Sequence, residues 1–158
     1  FTRGLLRRPK IDVHIRKAKQ SEWEQFMDFH YLSHKHNNAA HKYIAEINDV
    51  AAAWCSVLHF PHPYIKNMKR IHRIVVKPDY QGIGLGRKLL TYIAKKYKDD
   101  KFRISLVTSS PAFVHGLQSN KNWVMTRKPG RLKKAAKTGV LAGTTSDMRL
   151  TASFEFKG

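Results

Sequence analysis

The sequence predicts an α/β protein whose elements run in the order β-α-β-β-β-α-β-α-β-β. Three stretches carry this reading. Met68 to Tyr97 reads as a strand, a glycine turn and an amphipathic helix. Lys42 to Phe60 reads as two strands joined at Asn48-Asp49. Asp147 to Phe156 alternates apolar and polar residues, as a half-buried strand does.

Phe1 to Lys10 is basic and without pattern, read as an N-terminal segment or linker before one domain spanning 11–158. A start at Phe1 suits a domain of a longer chain. Ile11, Val13 and Ile15 alternate with Asp12, His14 and Arg16, which predicts the first strand. Ser21 to Glu24 reads S-x-x-E, a capping box. Trp23, Phe26, Met27, His30 and Tyr31 then recur at helical spacing to about Leu32. His30, His34, His36 and His41 form a dense cluster beyond it. No cysteine lies nearby and no H-E-x-x-H is present, so the cluster reads as a substrate-facing loop and no metal is expected.

After the hairpin, a loop with Pro61 and Pro63 leads into the Met68 strand. Beyond the central helix, Phe102, Ile104 and Leu106 alternate with Arg103 and Ser105 as a further strand. Ser110-Pro111 opens a helix with a capping hydroxyl and a proline at the first helical position. Asn122 to Val124 begin another strand, and Arg127 to Lys137 is expected to be a loop or short helix.

The stretch from Ile71 to Lys88 carries the chemistry. Ile71, Ile74, Val75 and Val76 have the β-branched composition of a buried strand, and Pro78 stops it. Gly82, Gly84 and Gly86 follow, then Leu85, Leu89, Leu90, Ile93, Ala94 and Tyr97 at helical steps. A helix start offers backbone N–H groups without intrahelical partners and the positive end of the helix dipole. Glycines let that backbone close on a phosphate, and Arg87 and Lys88 add full charges. The spacing is neither the P-loop G-x-x-x-x-G-K-[ST] nor the dinucleotide G-x-G-x-x-G. It is Q-x-x-G-x-G, as Gln81, Gly84 and Gly86.

With its strand and helix, this stretch resembles the pyrophosphate loop of the GNAT superfamily of N-acetyltransferases, and the element order is similar to that fold from about Ile11 to Phe156. The resemblance implies a mixed, mainly antiparallel central sheet flanked by helices. It implies acetyl-CoA as co-substrate, held by the backbone of Ile74, Val75 and Val76 and by Gln81, Gly82, Ile83, Gly84, Leu85, Gly86, Arg87 and Lys88. It also implies direct attack of a primary amine on the thioester. Two proton transfers remain. The strand from Met68 to Lys77 holds no Asp or Glu, so His72, expected on the face of Ile74 and Val76, is the candidate base. The family's usual tyrosine acid falls at Gln118, and no tyrosine follows Tyr97. Ser109 and Ser119 are the candidate substitutes, with solvent as the other source of that proton.

Composition sets the partners. The 158 residues carry one cysteine, Cys55, inside an apolar run, which excludes a disulfide framework and suits a reducing, cytoplasmic setting. No apolar stretch approaches a membrane span, so no membrane partner is expected. The net charge is +19, and from Lys101 to Ser146 nine Lys or Arg stand with no Asp or Glu. Such a balance favours polyanions. RNA or DNA contact is expected through Arg127, Lys128, Arg131, Lys133, Lys134 and Lys137. The leading reading is an N-acetyltransferase whose amine acceptor is nucleic-acid-associated: an aminoacyl-tRNA, an RNA base or a nucleic-acid-bound protein. A small-molecule amine is a further candidate. The alternative is a catalytically degenerate acyl-CoA-binding or nucleic-acid-binding module.

Overall fold

Asn48 and Asp49 both take left-handed backbone, with φ of 50° and 62°, so Ile47 and Val50 pair directly across a two-residue turn. This hairpin joins β2 (His41–Ile47) to β3 (Val50–His59) and seeds the sheet. The computed structural model describes residues 10–30, 34–130 and 150–158. The other strands are β1 (His14–Lys17), β4 (Met68–Val76), β5 (Arg103–Thr108), β6 (Trp123–Gly130) and β7 (Thr151–Phe156). They form one sheet in the order β1-β2-β3-β4-β5-β7-β6. Among the described residues β4–β5 is parallel and every other pairing is antiparallel. The expected mixed, mainly antiparallel sheet is therefore present.

Among the described residues two α-helices flank it, α1 (Leu85–Asp99) and α2 (Pro111–Gln118). Helix α1 buries Leu85, Leu89, Leu90, Ile93, Ala94 and Tyr97, the periodic face read from the sequence. They join Cys55, Val57, Ile71, Ile104, Leu106 and Phe154 in the larger core. Burial pushes the Cys55 thiol up to about 12, so it stays protonated and packs as a small apolar residue. The opposite face carries a smaller core of Trp23, Phe26, Ile44, Trp54 and Val75.

Four expectations are corrected. The first helix is not α-helical: Gln20–Gln25 and Met27–Phe29 are 3₁₀ turns. Three residues per turn stack positions three apart. That sets Trp23 and Phe26 side by side on the Trp54 ring, at 5.4 and 5.7 Å between centroids. The cap also shifts, because Glu22 rather than Glu24 reaches back, accepting the Lys19 N–H at 2.8 Å. Arg16 holds Glu22 there, donating at 2.7 Å, and binds Glu46 at 2.8 Å. The first strand pairs only from His14, and Ile11 is exposed. Arg127 to Gly130, expected as loop or helix, continues β6 against β7. Pro129 is tolerated there because β6 is an edge strand with an irregular register. Arg131, Lys133, Lys134 and Lys137 lie outside the described residues, as do Phe1–Pro9 and the Tyr31–Leu32 end of the expected helix.

Candidate functional site

The glycine turn is built as an anion cradle. After Val76 a 3₁₀ turn over Pro78–Tyr80 brings Gln81 back, and its Nε2 donates to the Val76 carbonyl at 3.0 Å. Gly84, at φ 81°, is the N-cap of α1 and brings no capping side chain. The first helical bond runs from the Lys88 N–H to the Gly84 carbonyl, at 3.1 Å. The amides before Lys88 therefore have no intrahelical acceptor, which is what an anion needs. Gly86 is required by contact. A Cβ there would stand 3.0 Å from the Phe113 ring and 3.1 Å from Val76 Cγ2, so glycine lets α1 close on β4 and α2. The Arg87 stem crosses α2 at Gly116, where a Cβ would meet its Cδ at 2.5 Å, and its guanidinium turns to the Gly84 side.

Beside the cradle the sheet opens. β4 and β5 pair only over Met68–Arg70 with Arg103–Ser105. Beyond these rungs Ile71–Val76 keep β3 on one side and have no β5 partner on the other. The two strands thus bound a wedge whose vertex is at Arg70 and Ser105. Its mouth lies toward the Gly84 turn and the start of α2. In a strand, alternate backbone groups turn to each side. The Ile71–Val76 edge therefore offers hydrogen-bonding groups to a chain lying in the wedge. Ser109 is half-buried at the β5–α2 junction, beside Ser110, whose N–H donates to Thr108 Oγ1 at 3.1 Å.

A bulge sets His72. Ser56 and Val57 are consecutive on β3 but pair with Arg73 and Ile71, leaving His72 as the extra residue. The bulge reverses its expected placement. Ile74 and Val76 pack with the α1 core, whereas the His72 ring lies 5.2 Å from that of His36. The His36 ring in turn stands 5.0 Å from Trp23 and 5.3 Å from Trp54, and its Nε2 is 2.8 Å from Ser56 Oγ. Trp23 Nε1 anchors the loop by donating to the His34 carbonyl at 2.6 Å. Desolvation first, then the charges of Lys42 and Arg73, depresses His36 to about 4. Desolvation first, then Arg73, His36 and His30, depresses His72 to about 3. Both imidazoles are neutral at neutral pH. His72 Nε2 and Trp54 Nε1 are buried with no hydrogen-bond partner among the described residues.

The structure thus sets the glycine turn and the Ser109 junction at the mouth of the wedge, and places His72 on β4 in ring contact with His36. It does not bring Ser119 to them. That residue is exposed at the far end of α2, about 13.5 Å along the helix from Ser110, and its hydroxyl donates to the His115 and Gly116 carbonyls. Gln118 is exposed at the same end. Arg127 bonds Thr151, and Lys128 is exposed. The dense histidine cluster was the signal for His36, but nothing local in the sequence marks the bulge that faces it with His72. Among the described residues no three His, Cys, Asp or Glu come together as a metal site.

The sequence model of the acetyltransferase (GNAT) family matches residues 9–114. No curated protein sequence matches the chain. Among solved structures, the ribosomal-protein-S18-alanine N-acetyltransferase of Escherichia coli is similar at a TM-score of 0.63 and 17% identity, over 91% of this chain and 92% of that one. A Bacillus subtilis acetyltransferase in complex with CoA is similar at 0.61 and 14%, over 93% and 98%. A GNAT family acetyltransferase from Elizabethkingia anophelis with acetyl-CoA bound is similar at 0.55 and 14%, over 91% and 97%.

Proposed function

The chain belongs to the GNAT acetyltransferase family, and on that premise we propose that it transfers an acetyl group from acetyl-CoA to a primary amine. The observation that carries this is the uncapped start of α1 at Gly84 opening beside the β4–β5 wedge. The residues fit the ligand: a Cβ at Gly82 would meet nothing within 4 Å, and one at Gly84 only the Arg87 guanidinium, at 3.8 Å. When bound, acetyl-CoA supplies the activated acetyl group as a thioester. The amides of Ile83 to Arg87 take the pyrophosphate, and the open edge of Ile74 to Val76 takes the pantetheine arm. The acceptor enters from the opposite face, over His36 and His72. His72 Nε2 accepts a hydrogen bond from the amine and so orients the nitrogen lone pair. At a pKa of about 3 it holds a proton only in passing, which suits relay to water better than storage. With acetyl-CoA bound, His72 would take the proton the attacking amine sheds and pass it to water, and solvent or Ser109 would supply the proton for the departing thiolate.

Titration calorimetry with acetyl-CoA tests the reading. We expect micromolar binding by the chain and none by Gly84→Glu, which sets a carboxylate and a Cβ at a left-handed position. Absence of binding by the unaltered chain would overturn it.

The charge of +19 supports a nucleic-acid-associated acceptor. Replacing Arg131, Lys133 and Lys134 together by Gln should lower the slope of log affinity against log salt for RNA by about two to three units. RNA binding that is absent even at low salt rejects this acceptor class. The missing carboxylate on β4 and the exposed Gln118 favour a second reading, a module that binds acyl-CoA without turning it over. It is distinguished by tight acetyl-CoA binding with no acetylation of any acceptor.

A further inference from the structure

The strand register lays a set of polar residues on the sheet face opposite α1. Arg70 pairs with Ser105, Ser105 with Glu155, and Arg127 with Ser153. All are out of phase with Ile104, Leu106 and Phe154, which face the α1 core. Arg70 stands on the last rung before β4 and β5 part, two residues ahead of His72.

Among the described residues neither arginine has an acidic partner. The Arg70 guanidinium carbon lies 3.5 Å from the Phe60 ring centroid, a contact that fixes its position and leaves its charge unpaired. Arg127 Nη2 donates to Thr151 Oγ1 at 2.7 Å, again a neutral partner. The Nε atoms of both are buried and have no hydrogen-bond partner among the described residues. Glu155, the carboxylate two strands from Arg70 on this face, is committed to Arg103 and Lys157. The two cations also feel one another, since after desolvation the charge of Arg127 is what lowers the Arg70 pKa. Buried donors on like charges are costly until an anion meets them. A guanidinium fork matches the two oxygens of a carboxylate or phosphate.

We infer that Arg70 and Arg127 form an anion site at the vertex of the wedge, and that the acceptor amine carries a carboxylate or phosphate held by this pair. The inference rests on the acetyltransferase reading for the identity of the ligand, not for the site. An anion on Arg70 leaves the amine nitrogen of a short acceptor within reach of His72. Amines without an anionic group have nothing to meet the guanidinium groups, and cationic ones are repelled by them.

The test uses three probes that differ in the anion: O-phosphoethanolamine, β-alanine and ethanolamine. Arginine Nε–H resonances of the full chain are followed by NMR with acetyl-CoA present, and assigned with Arg70→Lys and Arg127→Lys. We expect the Arg70 and Arg127 signals to shift with at least one anionic probe and not with ethanolamine. Those of Arg16 and Arg103, already paired, should stay in place. A phosphate source and a carboxylate source are told apart by which probe acts. In acetylation assays the effective anionic probe should exceed ethanolamine about tenfold in kcat/KM, the worth of one charge-assisted hydrogen bond. Arg70→Gln should remove that advantage through KM. Unmoved Arg70 and Arg127 signals with both anions overturn the inference, even if ethanolamine is acetylated. Shifts without acetylation of any probe leave the anion site standing and count against the acetyltransferase reading.

Discussion

The two faces of the sheet are built by different means. On the α1 side the cradle is backbone: a glycine N-cap, amides with no helical acceptor, and a wedge edge with no strand partner. The other side carries side chains: His36 and His72 in ring contact, with Arg70 on β4 and Arg127 on β6 sharing the face. The backbone side needs the fold and a few glycines. The side-chain side needs a bulge, a register and an aromatic wall. A common co-substrate suits the first kind of site, because phosphates and amides look alike in every chain. Acceptor choice suits the second, because side chains can change without moving the backbone.

This division can be broken by substitution. The largest effect is expected from Gly84→Glu: loss of acetyl-CoA affinity by more than about a hundredfold, read by calorimetry, since a carboxylate replaces the phosphate's place at the dipole end. His72→Ala should lower kcat by about a hundredfold, the usual range for a positioned proton acceptor, while acetyl-CoA affinity is nearly unchanged. Unaltered turnover removes His72 from the mechanism. Equal loss of both would mean the two faces are coupled. Gly86→Ala is a smaller wedge between α1, Phe113 and Val76. It should destabilise by about 1–2 kcal/mol through overpacking, measured by urea unfolding. An unchanged midpoint would show that Phe113 yields freely.

The same division explains what was legible in the sequence. The strand, glycine turn and helix from Met68 to Asp99 were readable because every signal is local: β-branched run, proline, glycines and a 3.6-residue period. The hairpin was readable for the same reason at Asn48-Asp49. The 3₁₀ turns after Lys19 were not, because Trp54, far along the chain, decides the period that Trp23 and Phe26 adopt. The strand character of Arg127–Gly130 was hidden too, since Pro129 reads as a breaker until β6 is known to be an edge. His72 is singled out by residue type alone, and its face is misread because a bulge opposite Ser56–Val57 leaves no mark within β4. Arg70 went unnoticed among many basic residues. Its distinction is that, among the described residues, it has no acidic partner, the Glu155 on its face being bound to Arg103 and Lys157.

The smallest effect expected is one of pH on stability, and it separates the histidine face from the ion pairs. His36 and His72 are depressed to about 4 and about 3 in the fold. In the unfolded chain both titrate near the ordinary value, about 6.5. Above that pH they are neutral in both states and contribute no pH dependence. As pH falls from 6.5 toward 4, the unfolded chain binds protons that the folded chain refuses, so stability is lost. Glu22, Glu46 and Glu155 are held low by Arg16 and Arg103, so their contribution is full above 4.5 and lost below it. Between pH 6.5 and 5 the histidines act ahead of these carboxylates. The melting temperature should fall across that window by a few degrees, on the order of 1 kcal/mol for a domain this size. Replacing both histidines by Gln should flatten the fall. A slope that the double variant leaves intact would place the titrating groups outside the His36–His72 pair and weaken the case that this face is dry enough to govern an incoming amine.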